Sequence, residues 1–391
     1  MPKTPIRRPA WPDGAARPLA TPLQASVVYT SDGPDTLDAQ YGGQIPGYTY
    51  AREGHPNATV LARMIDDLEG VEGGIVTGSG MAAVTAALLG SVKAGDHVLG
   101  GDQLYGRSLR LMSETLPALG IAASTADATD ADRFAAAIRP ETRLILIEIV
   151  SNPTIRIADF TAILRIAQDR GILVAVDNTF TTPYAIRPFD HGADIVIHSV
   201  TKLLSGHSDT TLGYVAARDL ALRDKIETFC VTTGLTPSPF DCWLAERGLL
   251  SFPLRYTQAE KTARSVADAV AEMSGVQRVL YPTRPDHPDH NRAVGLLGDH
   301  GSHMLSFEVS GGRAAANALV AAMPEIPFAP TLGDISTTLS HPATSSHRAL
   351  SEEDRNVIGI SEGFFRVSVG CEDADGLIQT FAKGIAASQS V

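Results

Sequence analysis

Residues 198–209 read HSVTKLLSGHSD, a lysine among hydroxyls and leucines with no acid before Asp209. The preceding DIVI is an apolar run that reads as a buried strand. Lysine is among the side chains least often buried unpaired, so Lys202 at the end of such a strand asks for a chemical reason. Other reactive groups stand in similar places. Asp177 closes the apolar run ILVAVDN (172–178), Asn152 follows RLILIEIV (143–150), and Ser199 and Thr201 precede the lysine closely. In open parallel sheets, ligands bind at the C-terminal ends of the strands, where all of these fall. Upstream, TGSGMAA (77–83) puts two glycines and a serine at a helix start, where free N–H groups and the helix dipole favour an anion.

An amine, an acid, hydroxyls and an anion cradle together suit pyridoxal phosphate. Its aldehyde takes a lysine as a Schiff base, its ring nitrogen takes a carboxylate that keeps it protonated, and its phosphate takes N–H and O–H donors. Covalent attachment would spare Lys202 the cost of an unpaired buried charge. Each residue alone has an ordinary alternative. Lys202 could be a surface lysine at a strand end, Asp177 a turn cap, and Ser199 and Thr201 hydroxyls bonded to backbone. GSGMAA also fits a dinucleotide fingerprint, but only Ile75 and Val76 precede it as apolar strand, so a Rossmann turn is not expected. PDHPDHN (285–291) gathers histidines and aspartates around two prolines without helical spacing; it is expected to be a solvated loop, and no metal is expected.

The elements that must hold these residues follow from the hydrophobic pattern. From about residue 57 to 245, apolar strands alternate with helices, which predicts a mostly parallel sheet covered on both faces. ARMIDDLEG is expected as a short amphipathic helix. SGMAAVTAALLGSV is expected as a buried one, and ADFTAILRIAQDRG as one with Phe160, Ile163, Leu164 and Ala167 inward. Residues 1–56, the first fifty rich in Pro, Gly, Asp and Thr, are expected as an extended N-terminal arm reaching a neighbouring subunit. Residues 57–245 form the expected large domain, and residues 246–391 a smaller α/β domain with HMLSFEV and FFRVSVG as strands. The 391 residues carry a net charge of −12, which argues against a nucleic-acid or anionic membrane surface. The three cysteines, Cys230, Cys242 and Cys371, lack zinc or disulfide spacing. With no secretory pattern at the N-terminus and no run long enough to span a bilayer, a cytoplasmic location is expected.

VDNTFTTPYAIRPFDHGADIVIHSVTKLLSGHSD resembles the pyridoxal-phosphate enzymes of cysteine and methionine metabolism, the transsulfuration group. YTYAREGHPNATV, SGMAA, LYGRS, SNPT, TGLTPSPFDCWLAERGL and FFRVSVGCED continue the likeness, in that family's order, over about residues 20 to 385. The resemblance implies the aspartate-aminotransferase-like fold (fold type I), with a large sheet domain and a smaller C-terminal domain. It implies Lys202 as the Schiff-base lysine and Asp177 as the partner of the ring nitrogen. Gly80 and Met81 offer N–H groups to the phosphate, and Ser199 and Thr201 add hydroxyls. Tyr105 is implied to stack on the ring, and Tyr50 and Arg52 to reach the phosphate in a neighbouring subunit. Arg366 is implied to clamp the substrate carboxylate, with Asn152 and Thr331 beside it. The implied assembly is a homotetramer, a dimer of active dimers.

The implied reactions break a C–S or Cγ–X bond of an amino acid. Cystathionine γ-lyase or γ-synthase chemistry is the leading expectation, with cystathionine β-lyase and O-acylhomoserine sulfhydrylase as alternatives. An aminotransferase would share Lys202 and Asp177 but not the other motifs. Three positions depart from the family pattern. Arg107 replaces the cysteine of methionine γ-lyases. Pro330 replaces the glutamate of many γ-lyases and γ-synthases, or the tyrosine of some β-lyases. His55 stands where asparagine is common. SHPATSSH (340–347) looks more like the γ-acting and sulfhydrylase branches than like the β-lyases.

Overall fold

The computed structural model describes residue 16, residues 18–348 and residues 350–391. Seven strands form the larger sheet: β1 (Ile75–Thr77), β2 (His97–Gly101), β3 (Ala122–Ala126), β4 (Thr142–Glu148), β5 (Leu173–Asp177), β6 (Ile195–His198) and β7 (Gly213–Ala217). Their order is β1-β7-β6-β5-β4-β2-β3. The run from β3 to β6 is parallel, and β7 is antiparallel to both β6 and β1. GSGMAA therefore follows a short antiparallel edge strand, a setting unlike the central parallel strand that opens a dinucleotide fold. Four further strands, β8 (Val276–Leu280), β9 (Met304–Val309), β10 (Thr338–Ser340) and β11 (Phe364–Ser368), form an antiparallel sheet in the order β10-β11-β9-β8. The two sheets match the fold class expected from the sequence.

The apolar runs bury both faces of the central strands because successive side chains point to opposite sides. Leu144 and Leu146 of β4 pack with Ala83 and Ala87 of the helix Gly80–Leu89. Ile145 and Ile147 pack on the other side with Phe160 and Ile163 of the helix Phe160–Asp169. The edge strand β3, AASTA, has no buried residue, so no apolar period marked it.

Two expectations are corrected at the N-terminal side. The helix around ARMIDDLEG is not short; it spans Pro56–Glu69. His55 starts it, accepting the Ala58 N–H on Nδ1 at 3.2 Å and donating from Nε2 to Pro237 O at 3.2 Å. This gives His55 a structural role as a neutral N-cap, and burial lowers its pKa accordingly. The arm is also not wholly extended, since Pro34–Tyr41 is helical. Residues 1–15 and residue 17 of that expected arm lie outside the described residues.

PDHPDHN is corrected too. It is a loop with Pro285, Asp286, Pro288 and Asn291 exposed as expected, but His287 and Asp289 turn inward and clasp the two sheets' territories together. His287 is 3% exposed and donates from Nε2 to Ile155 O at 2.9 Å. Asp289 accepts from Arg156 Nε at 2.5 Å, from Arg156 Nη2 at 3.0 Å and from the Ile157 N–H at 3.0 Å. Burial alone would raise the Asp289 carboxyl, but the Arg156 hydrogen bond and its neighbours outweigh it and hold the pKa low. Asp289→Ala should destabilise the protein by about 1–3 kcal/mol, read from urea melts. That loss should be complete above about pH 4 and shrink as pH falls through the depressed carboxyl, because a protonated Asp289 contributes little even in the parent.

Candidate active site

The C-terminal ends of β4, β5 and β6, the start of the helix Gly80–Leu89, and β11 with the turn before β10 enclose a cavity of about 240 Å³. Of the residues expected from the sequence, Gly80, Met81, Tyr105, Asn152, Asp177, Ser199, Thr201, Lys202, Thr331 and Arg366 all line it. Tyr50 and Arg52 do not. They border a separate surface groove with Leu23, Thr236 and Phe240, where the Arg52 guanidinium lies 5.6 Å from the Tyr50 ring centre.

The helix start is shaped as a cradle. Ser79 caps it by accepting the Ala82 N–H at 3.0 Å. A Cβ at Gly80 would fall 2.6 Å from Ser199 Cβ, so glycine is what lets the cradle meet the strand end. Ser199 is itself fixed, its N–H donating to Thr179 Oγ1 at 2.7 Å. Thr201 is placed as expected, but its hydroxyl donates to Leu212 O at 3.1 Å and accepts the Leu212 N–H at 2.9 Å. The backbone alternative weighed for this residue therefore holds in the structure.

Asp177 Oδ1 accepts the Thr179 N–H at 3.1 Å. Burial raises its pKa, opposed by hydrogen bonds from Thr179 and by the nearby His198. Lys202 Nζ lies 3.4 Å from Thr331 Oγ1. Burial and then the Arg366 charge lower the pKa of the lysine. The Thr331-Leu332-Gly333 turn is pressed against the lysine's own backbone: a Cβ at Gly333 (φ +81) would lie 2.4 Å from Leu203 N.

Arg366, on β11, is 6% exposed and makes no salt bridge among the described residues. It donates from Nη1 to Asn152 Oδ1 at 2.9 Å and from Nη2 to Thr331 O at 2.6 Å, while its Nε has no partner. Burial pushes its pKa down to about 10. A buried guanidinium held by two neutral acceptors, with its Nε–H and the second hydrogens of Nη1 and Nη2 unengaged, is prepared for an anion.

Six lining residues were not singled out from the sequence: Val84, Glu148, Thr179, Phe180, Thr211 and Leu332. Glu148 sits inside the same apolar run that points to Asn152, and only the structure shows that β4 ends on it. Its Oε1 accepts the Tyr105 N–H at 2.7 Å. Tyr105 is 43% exposed at the rim, and a Cβ at the next residue, Gly106, would lie 3.2 Å from Ser346 O, which brings the SHPATSSH segment to the cavity edge. Pro330 lines the cavity, whereas Arg107 is exposed.

These groups fit pyridoxal phosphate. The cavity offers an amine of lowered pKa, a half-buried carboxylate, a glycine-shaped helix start, and a guanidinium left over for a substrate carboxylate. Such a site on a sheet of this kind defines a pyridoxal-phosphate enzyme acting on amino acids.

Comparison with known proteins agrees. Residues 6–386 match the family described as Cys/Met metabolism PLP-dependent enzyme. The chain is 36% identical to cystathionine beta-lyase MetC of Bacillus subtilis, over 97% of this chain and 95% of that one. It is 37% identical to O-succinylhomoserine sulfhydrylase of Pseudomonas aeruginosa, over 89% and 86% respectively. A crystal structure of cystathionine gamma synthase from Xanthomonas oryzae pv. oryzae superimposes with a TM-score of 0.90 at 34% identity, covering 95% of this chain and 94% of that one. The chain belongs to the Cys/Met metabolism family of pyridoxal-phosphate-dependent enzymes. Its cofactor is pyridoxal phosphate, and its chemistry is that of a lyase or transferase of sulfur amino acid metabolism. Among the described residues no helix is long and apolar enough to cross a membrane.

Gly80→Ala should raise the cofactor dissociation constant by about 5- to 100-fold, since overpacking of this kind costs about 1–3 kcal/mol. Fluorescence titration of the apoprotein with pyridoxal phosphate measures it.

Proposed function

We propose that this enzyme carries out γ-elimination or γ-replacement on a cystathionine- or O-acylhomoserine-type amino acid. The observation that carries the amino-acid reading is the juxtaposition of Lys202 and the unpaired face of Arg366 in one cavity. In this reading Arg366 binds the substrate's α-carboxylate, with Asn152 orienting the guanidinium and Thr331 holding both Arg366 and Lys202. Lys202 anchors the cofactor and, once released, takes the α-proton; its lowered pKa leaves more of the amine neutral and able to do so. Asp177 would hold the ring nitrogen, Gly80, Met81 and Ser199 would hold the phosphate, and Tyr105 would cover the ring. When bound, pyridoxal phosphate supplies an electron sink for the α-carbanion.

Gamma chemistry requires a second proton to leave Cβ. Lys202 and the rim residue Tyr105 supply groups able to move it. Pro330, where relatives place an acid or a phenol, has no proton to give or take. The SHPATSSH segment at the rim supports the γ-acting and sulfhydrylase branches. The relative named as a beta-lyase keeps β-elimination as the second reading. Incubation with L-cystathionine separates them by the keto acid formed, 2-oxobutyrate for γ- and pyruvate for β-elimination. Turnover of O-succinyl- or O-acetylhomoserine with a thiol marks the replacement reaction. Pyruvate as the sole keto acid, with no turnover of O-acylhomoserines, would falsify the γ reading. Lys202→Ala should lower kcat by at least about 1,000-fold in either case, in line with loss of a general base and of the anchor.

We also propose that residues 1–56 act as an arm completing a neighbouring subunit's site, beside a large domain of 57–245 and a C-terminal domain of 246–391. Tyr50 and Arg52 lie outside their own cavity, and Val27, Val28 and Phe240 present apolar surface around them. A homotetramer built from two such dimers and a cytoplasmic location accompany this reading. Mixing Arg52→Ala and Lys202→Ala subunits after co-refolding should restore about a quarter of parental activity, because half the dimers are hybrids and each carries one intact site of two. Activity no greater than that of the separate variants would remove the shared site.

A further inference from the structure

The cavity holds a second carboxylate for which the proposed reaction has no use. Glu148 closes β4 and Asp177 closes β5, and the two are direct register partners in the parallel pair. Both line the cofactor cavity. Like charges side by side on neighbouring strands repel, and in a desolvated site only one of two such acids ionises readily. Their partners differ. Asp177 receives Thr179 through both backbone and side chain and lies near His198. Glu148 receives the Tyr105 N–H.

The other groups around Glu148 leave this asymmetry in place. Lys202 and Arg366 share the cavity, but Arg366 is bound to Asn152 and Thr331 and Lys202 to Thr331. Behind Glu148 a void of about 20 Å³ is bordered by Asp102 and Arg156. Arg156 is committed to Asp289, and burial raises the pKa of Asp102, with Asp127 adding to it.

We propose that Glu148 is a positioning residue that works as a neutral acid: it anchors the Tyr105 backbone while leaving Asp177 as the single negative charge facing the cofactor ring. The electrostatics of the site run the same way. Burial first, and then the Asp177 charge, push the Glu148 carboxyl well above the usual range, while hydrogen bonds from Thr179 and the nearby His198 oppose the rise at Asp177. A carboxylate there would spread negative charge away from the atom that needs it. An apolar residue would free Tyr105, the N-cap of the helix Gly106–Arg110 and the side chain read as covering the ring. A protonated carboxyl does neither.

The inference uses the cavity of the proposed reaction, so its decisive test needs neither cofactor nor substrate. A carboxyl that keeps its proton to higher pH in the folded than in the unfolded chain costs stability as pH rises from the unfolded pKa towards the folded one. Full-length apoprotein carrying Glu148→Gln should therefore melt at nearly the parental temperature around pH 4. It should gain on the parent by about 2 °C or more between pH 5 and pH 8. In an Asp177→Asn background that gain should contract, because the repelling neighbour is gone. In the holoenzyme, Glu148→Ala should weaken cofactor binding and lower kcat/KM by about 10-fold each, and Glu148→Gln should recover most of both, since an amide oxygen still accepts the Tyr105 N–H. A melting difference that stays flat with pH, or a glutamine variant as impaired in cofactor binding as the alanine variant, overturns the proposal. Because the glutamine melts stand alone, a misfolded alanine variant does not leave the matter open, and a negative result leaves the choice between γ- and β-chemistry untouched.

Discussion

Four ionisable side chains, Lys202, Arg366, Asp177 and Glu148, line one cavity with no ion pair among them. Burying such groups is costly, and each shows the strain in the expected direction: the amine and guanidinium are pushed down, the two carboxyls up. The fold keeps them apart and aimed inward. Asp177 and Lys202 belong to successive strand ends, while Arg366 comes from the other sheet and is held by neutral acceptors. A ligand carrying an aldehyde, a basic ring nitrogen and a phosphate, followed by an amino acid carboxylate, relieves each of these costs in turn. The site is a set of unsatisfied demands that its cofactor and substrate meet together.

The two sheets divide that work. The parallel sheet supplies the cofactor side, because its C-terminal edge collects the ends of β4, β5 and β6 in one line. The antiparallel sheet supplies the substrate side through Arg366 and the turn at Thr331–Gly333. Their relative position matters to within a hydrogen bond, since Arg366 reaches Asn152 at 2.9 Å across the boundary. The clasp of His287 and Asp289 on residues 155–157 fixes the loop that carries Asn152, and Ser306 donates to Pro153 O at 2.7 Å from β9. A motif that looks like a metal site in the sequence is thus part of the joint between the sheets.

The central strands, their covering helices and most of the cavity lining were legible in the sequence. Long apolar runs that end in a single polar residue carry two signals at once, a doubly covered strand and a ligand-facing end. Legibility failed where the signal is non-local. PDHPDHN shows only loop composition, and the inward turn of His287 and Asp289 depends on Ile155 and Arg156, more than a hundred residues away. Thr201 lines the cavity, and only the fold shows its hydroxyl bonded to the Leu212 backbone. Glu148 was passed over because it sits inside an apolar run and gains significance only beside Asp177, which is adjacent in the sheet and not in the chain.

The sequence by itself determined the class of chemistry: residue types at strand ends are set by local pattern, and lysine, aspartate and a glycine-rich helix start can be read one segment at a time. Tertiary structure decided which of these groups are desolvated, which are already engaged, and which face each other. Those properties are sums over neighbours from distant segments, so a one-dimensional pattern does not contain them. The pairing of two adjacent acids and the unengaged edge of one buried arginine exist only once both sheets have closed around the same space.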